Sequence, residues 1–247
     1  MDKLSDHLEV AKEAAQISGN FLKNEFCKDQ EASLNEARDI KLKIDIESEN
    51  LILKSINQNS KLPILSEESG ASKDLGDTYW IVDPLDGSSN YFRKIDICAV
   101  SIALISKGEP IVGVINDFMN DHLYFASQNG GAFCNDRPIK VSDIREAGKG
   151  TIMSGIPAKS HYSDDEFKSM IKLFQKWKKV RMIGSAAIAN LYVAIGKADC
   201  YSEKGTFIWD VAAGAIIVKE AGGQTFLSSI SDDFRLDATF TNGKIIV

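Results

Sequence analysis

The chain has 247 residues, enough to bury a full core as one large domain or two closely packed subdomains. With 44% hydrophobic residues, 26% charged residues and five prolines, the composition is that of a globular protein and excludes long disorder. A formal charge of -6 works against the clustered cations that nucleic-acid binding needs, so no nucleic-acid partner is expected.

Met1 to Ala15 interleave charges with apolar residues and lack the unbroken apolar run of a signal peptide or membrane span, so the expected location is cytoplasmic with no membrane partner. Leu4, Leu8, Ala11, Ala15 and Leu22 recur at helical spacing and predict an amphipathic helix over the first 27 residues. A second helix is predicted from near Asp45 through Leu51, Leu53 and Ile56. Pro63, Gly70 and Gly76 break the stretch from Lys61 to Asp77, leaving room for a short strand at Leu62 to Leu65 ahead of Glu67. Trp80-Ile81-Val82 is β-prone and is expected to stop at Asp83-Pro84, where proline removes a ladder donor. Strands at Ala99 to Leu104, Ile111 to Val114 and Leu123 to Ala126 predict an antiparallel meander.

The second half alternates. It reads as a strand near Thr151, a helix from Asp164 to Lys178, a strand near Val180, a helix from Ala186 to Ala194 and a strand from Ala198 to Tyr201. A last helix is expected to begin at Asp210 and to end at Gly222-Gly223, where paired glycines favour a left-handed turn. Phe174 and Trp177 are expected in the core. Cys27, Cys98, Cys134 and Cys200 form no CxxC pair and are expected as buried reduced thiols. His7, His122 and His161 make no ligand-spaced cluster.

Chemistry concentrates in Asp83-Pro84-Leu85-Asp86-Gly87-Ser88-Ser89-Asn90. Two carboxylates three residues apart across a turn can converge on one point, Gly87 lets the backbone approach it closely, and Ser88 and Ser89 offer amides and hydroxyls to an anion. Taken singly, Asp83 caps a turn and Ser88 caps a helix. Glu67-Glu68 upstream and Trp209-Asp210 downstream add carboxylates at other strand or loop ends, and the combination favours a metal site.

These blocks resemble the inositol monophosphatase family of lithium-sensitive, metal-dependent phosphatases across nearly the whole chain. Leu65-Ser66-Glu67-Glu68-Ser69 is similar to its Glu-Glu-Ser element, and Trp80 to Asn90 to its Asp-Pro-Ile/Leu-Asp-Gly-Thr/Ser motif. Trp209-Asp210-Val211-Ala212-Ala213-Gly214 with Glu220-Ala221-Gly222-Gly223 resembles its C-terminal signature. The resemblance implies a layered α-β-α-β-α sandwich of the α/β (α+β) class. It implies two subdomains, roughly 1-142 and 143-247, and a homodimer.

By the same resemblance Glu67, Asp83 and the Leu85 carbonyl hold one Mg²⁺, Asp83, Asp86 and Asp210 hold a second, and Asp45 with Glu67 helps with a third; Mn²⁺ is a possible substitute. Gly87 and Ser88 cradle phosphate, Ser88 positions the attacking water, and Glu67 assists removal of its proton. An oxygen-only donor set suits hard Mg²⁺ better than zinc. One block departs from the family pattern: Asp39-Ile40-Lys41-Leu42-Lys43-Ile44-Asp45 lacks the usual Val-Thr, and Asp45 with Glu49 is also the pattern of a solvated helix face.

Gly184-Ser185-Ala186-Ala187 and Glu203 are similar to positions that contact substrate hydroxyls in the inositol-phosphate branch. A carboxylate at Glu203 accepts hydrogen bonds from a polyol and repels a second phosphate, which favours inositol 1-phosphate or a related monophosphate. The alternatives are 3'-phosphoadenosine 5'-phosphate, fructose 1,6-bisphosphate, or a regulatory binding protein with a vestigial metal site.

Overall fold

A computed structural model of the chain describes residues 3–28, 32–36, 39–72, 74–157 and 161–246. Met1 and Asp2, at the head of the expected first helix, lie outside them. In chain order the first half comprises α1 (Lys3–Glu25), β1 (Ala32–Glu36), β2 (Asp39–Leu42), α2 (Lys43–Asn59), β3 (Ile64–Ser66), β4 (Gly70–Ala71), β5 (Thr78–Asp86) and α3 (Ser88–Phe92). The meander follows as β6 (Ala99–Ser106), β7 (Glu109–Asp117), β8 (His122–Ser127), β9 (Gly131–Cys134) and β10 (Arg137–Pro138). β1 and β2 pair with each other, and the remaining strands form an eight-stranded sheet in the order β10-β9-β8-β7-β6-β5-β3-β4.

β6 shows why this sheet is central. Its residues are buried along almost the whole strand, the pattern of a strand covered on both faces. Val100, Ile102 and Leu104 join the cluster with Ala11, Leu22, Ile52 and Ile56 from α1 and α2. The alternate residues Ala99, Ala103 and Ile105 join the cluster that holds the second half's helices. Period-two alternation thus sends one face to each helical layer.

The second half comprises β11 (Thr151–Met153), α4 (Asp164–Phe174), β12 (Lys179–Arg181), α5 (Ala186–Ala194), β13 (Cys200–Phe207), α6 (Ile208–Glu220), β14 (Gln224–Leu227) and β15 (Arg235–Thr241). Its five strands form a second sheet in the order β12-β11-β13-β15-β14, with β11 parallel to both neighbours. α6 is apolar all round and buries Ile208 through Val218 except Asp210, as a helix enclosed between two sheets must. It touches β5 to β9 on one side and β13 to β15 on the other. α4 lies on the outer face, where Leu173 and Phe174 pack on Ile152, Trp177, Cys200 and Ile245. The α-β-α-β-α layering implied by the resemblance is the observed architecture.

Several boundaries differ from the sequence expectation. The short strand expected at Leu62 to Leu65 is β3 at Ile64–Ser66, starting two residues later, and α4 stops at Phe174, four residues before Lys178. The strand expected to end at Tyr201 runs to Phe207, and the last helix begins at Ile208, two residues before Asp210. Most important, β5 does not stop at Asp83-Pro84 but continues to Asp86. Cys98 and Cys200 are buried, but Cys27 is exposed and Cys134 half-buried, because β9 lies near the end of its sheet.

α6 crosses β7 at Gly113, where an added Cβ would lie 2.5 Å from both the Ala213 carbonyl oxygen and Ile216 Cγ2. Neither backbone can retreat without unseating α6 from the sheet. Gly113→Ala is expected to cost about 2 kcal/mol through overpacking, read as a lower urea midpoint; an unchanged midpoint would show that this contact does not fix α6.

Candidate active site

The acidic turn owes its geometry to a β-bulge. Asp83 pairs with Ser101 and Asp86 with Ala99, so three steps along β5 match two along β6. In a regular strand, residues three apart point to opposite faces; the extra residue corrects that phase and turns both carboxylates to one side. Beyond it, Gly87 has φ 86°, and a Cβ there would lie 2.9 Å from the Ile97 carbonyl oxygen, so the chain turns here only with glycine.

Asp86 reaches the N-terminus of α5. Its carboxylate accepts from Ser185 Oγ, from the Ala186 amide at 3.2 Å and from the Ala187 amide at 3.0 Å, the orphan donors of a helix start. Asp210, in the first turn of α6, accepts from Thr206 Oγ1 at 2.8 Å and the Phe207 amide at 3.1 Å. Asp83 accepts from the Leu85 amide at 3.0 Å. One carboxylate oxygen from each of Asp83, Asp86 and Asp210 lies within 4.8 Å of the other two.

Burial raises all three pKa values, and repulsion from neighbouring carboxylates adds to it at Asp83 and Asp86. Burial, then Glu67 and the other two aspartates, pushes Asp83 well above the carboxylate range. Burial and Asp210 raise Asp86 to about 7, although its helix-end donors pull the other way, and burial raises Asp210 to about 6. An all-oxygen cluster whose members resist shared ionisation fits a hard divalent cation.

The cluster floors a cleft of about 310 Å³ whose lining includes Asp45, Glu67, Leu85, Gly87, Ser88, Ser89, Gly184, Ser185, Ala186 and Glu203. With Asp83, Asp86 and Asp210 these line one cavity, whereas Ala187 of the Gly184-Ser185-Ala186-Ala187 block does not. Glu67 follows β3, its amide donating to the Val82 carbonyl at 3.1 Å beside Asp83. Asp45 and Glu49 are buried, not a solvated face, because α2 packs with this side towards the sheet; Glu49 accepts from the amide and hydroxyl of Ser69. Ser88 Oγ donates to the Leu85 carbonyl at 2.9 Å and lies 3.2 Å from Asp45 Oδ1.

Glu203, on β13, is buried and accepts from the Tyr201 hydroxyl at 3.0 Å; burial, then Asp210, raises it to about 8. Burial thus disfavours its charged form, which weakens the expected repulsion of a second phosphate in the metal-free protein. Sequence reading missed Thr206, Ser154, Gly155, Ile156 and Met182, which depend on pairing in the second sheet. It also left the Asn90 side chain without a role. Asn90 Nδ2 donates to the Ile97 carbonyl at 2.8 Å and the Ile183 carbonyl at 2.7 Å, tying the acidic turn to the segment that starts α5.

The sequence model of the inositol monophosphatase family matches residues 3–242. This chain belongs to that family. Among relatives of the family member, the Nus factor SuhB of Pasteurella multocida is 36% identical over 222 residues, 87% of this chain and 83% of the relative. A fructose-1,6-bisphosphatase/inositol-1-monophosphatase of Aquifex aeolicus is 34% identical over 230 residues, 90% and 86% of the two chains. The solved inositol monophosphatase of Anabaena superposes with TM-score 0.84 at 33% identity, covering 98% of this chain and 92% of that one. The chain is thus a member of a phosphatase family. Among the described residues no helix is long and apolar enough to cross a membrane.

The raised carboxyls fix the sign of a pH effect. Between their usual value of 3.8 and about 6 to 7, folded metal-free protein holds protons at Asp210 and Asp86 that the unfolded chain has released. Stability contributed by these groups is full below that window and lost as pH rises through it. With chelator present, the melting temperature is expected to fall as pH rises through this window, to fall less in Asp86→Asn, and to recover with magnesium. A flat profile in chelator would contradict the burial of these charges.

Proposed function

We propose that this chain hydrolyses a small phosphomonoester with Mg²⁺, taking inositol 1-phosphate or a related polyol monophosphate as substrate. The observation that carries the reading is the convergence of Asp83, Asp86 and Asp210 within 4.8 Å on the floor of a cleft, in a chain of a phosphatase family. In this reading Glu67, Asp83 and the Leu85 carbonyl hold one ion, Asp83, Asp86 and Asp210 a second, and Asp45 with Glu67 a third. When bound, the ions supply charge that offsets the carboxylates, polarise the phosphoryl group and make water acidic enough to attack.

The chain's own groups do the rest. The turn at Gly87, Ser88 and Ser89 offers amides to the phosphate, Ser88 Oγ orients the attacking water, and Glu67 takes its proton. Hydrolysis by water in line with the leaving oxygen needs no covalent enzyme intermediate. Glu203 and the Gly184-Ser185-Ala186 segment meet the hydroxyls of the leaving alcohol. The reading also includes two subdomains, 1-142 and 143-247, meeting at the cleft, a homodimer, lithium sensitivity and a cytoplasmic location.

The name of the Aquifex relative favours fructose 1,6-bisphosphate as a second substrate, and the SuhB name favours a further role as a Nus factor. Phosphate release from inositol 1-phosphate, fructose 1,6-bisphosphate and 3'-phosphoadenosine 5'-phosphate is measured with Mg²⁺, with chelator and with lithium. Metal-dependent, lithium-inhibited release greatest for the polyol monophosphate is expected. Asp86→Asn is expected to abolish turnover while remaining folded. Release from no ester would leave only the binding role, and full activity in Asp86→Asn would remove the ligand assignment.

A further inference from the structure

β13 carries a bulge of its own. Glu203 pairs with Ala238 and Thr206 with Leu236, so three steps along β13 match two along β15. Tyr201 and Glu203, two apart, share a face of the strand, and the extra residue brings Thr206 back into phase with them. Burial follows that phase: Tyr201, Glu203 and Thr206 are buried, whereas Lys204 inside the bulge is exposed. One side of the strand therefore carries both the hydroxyl that donates to Glu203 and the hydroxyl that donates to Asp210.

Tyr201 has little freedom. It is fully buried and does not line the cleft, and its ring packs on Phe240 with centroids 5.6 Å apart. Burial, then Glu203 and Asp210, pushes its pKa well above the ordinary range, so the hydroxyl stays a donor. Among the described residues it is the only hydrogen-bond donor to Glu203, and it takes Oε2. Gly155 closes over the same carboxyl, since a Cβ there would lie 2.5 Å from Oε2 and 2.8 Å from Oε1. One oxygen is thus engaged by the protein, and Oε1 is left for a hydroxyl arriving in the cleft that Glu203 lines. The terminal torsion of a glutamate is broad, so a carboxyl without this bond is free to turn. We infer that Tyr201 is a positioning residue whose hydroxyl aims the Glu203 carboxyl at the leaving alcohol, so that a side chain behind the cleft sets the preference for hydroxyl-bearing alcohols. This rests on the phosphatase reading above and gives a role to a residue that reading leaves unused.

Inositol 1-phosphate and phenyl phosphate read the effect, because both carry one phosphate and only the first carries hydroxyls for Glu203 to meet. Steady-state phosphate release with Mg²⁺ is measured for both with the parent chain, Tyr201→Phe, Glu203→Ala and the double variant. Tyr201→Phe is expected to raise the KM for inositol 1-phosphate about tenfold relative to that for phenyl phosphate, a factor equal to about 1.4 kcal/mol, with kcat moving less than KM. In the Glu203→Ala background the hydroxyl has nothing to hold, so adding Tyr201→Phe moves the ratio no further. Where phenyl phosphate is not released, the four KM values for inositol 1-phosphate carry the same cycle. Phenylalanine keeps the ring on Phe240, and the thermal unfolding of Tyr201→Phe is expected close to the parent's. An unchanged KM for inositol 1-phosphate in Tyr201→Phe, a shift of equal size in the Glu203→Ala background, release from phenyl phosphate alone, or loss of the fold in Tyr201→Phe would overturn the positioning role and leave the phosphatase reading standing. Release from neither ester by the parent would overturn both.

Discussion

Like charges brought together out of water are the constraint around which this protein is organised. Unit charges 4 to 5 Å apart repel by about 4 kcal/mol at an effective dielectric near 20, and burial adds a desolvation penalty for each. Asp83, Asp86 and Asp210 accept that arrangement on the floor of one cleft, with Glu67 beside Asp83. A fold under no functional demand disperses such groups to the surface. Here each carboxylate is instead held in place by donors of its own.

The donors to Asp86 come from the start of α5 in the layer between the sheets, those to Asp210 from the end of β13, and that to Asp83 from β5 itself. Asp86 lies on the first amides of α5 and Asp210 in the first turn of α6, so both sit at the positive ends of helices that are enclosed and cannot tilt freely. Asn90 links the acidic turn to the segment entering α5, and Asn190 Nδ2 donates to the Asp210 carbonyl, linking α5 to α6. The hydrogen bonds thus connect elements nearly a hundred residues apart around one small volume. Their partial charges moderate the repulsion without cancelling it, which is why Asp86 still rises to about 7.

What was legible in the sequence follows from how local each signal is. The Asp-Pro-Leu-Asp-Gly-Ser turn announced itself because proline, glycine and two carboxylates act within a few residues, and the helix from Ala186 to Ala194 was bounded correctly by its own composition. The bulge was not legible, since it exists only in the register of β5 against β6, and proline was therefore read as a stop. Asp45 and Glu49 were ambiguous because a helical pattern does not reveal which face meets a neighbouring layer. Glu203 was found, but the raised pKa of its carboxyl follows from burial beneath Gly155 and from Asp210, an environment that only the second sheet creates. Ile156 and Met182 carried no signal at all, as their adjacency depends on parallel pairing between β11 and β12.

That division between the sheets has a consequence for how the molecule can change over evolutionary time. Asp83 and Asp86 belong to the first sheet, whereas Ile156 and Met182 lie just past the ends of β11 and β12 in the second, and Glu203 lies within β13. Replacing a residue on the outer rim leaves the bulge, its register and the helix starts beneath it untouched. A lineage built on this scaffold can therefore acquire a new preference by drift at a few strand ends while its hydrolytic centre is inherited unaltered.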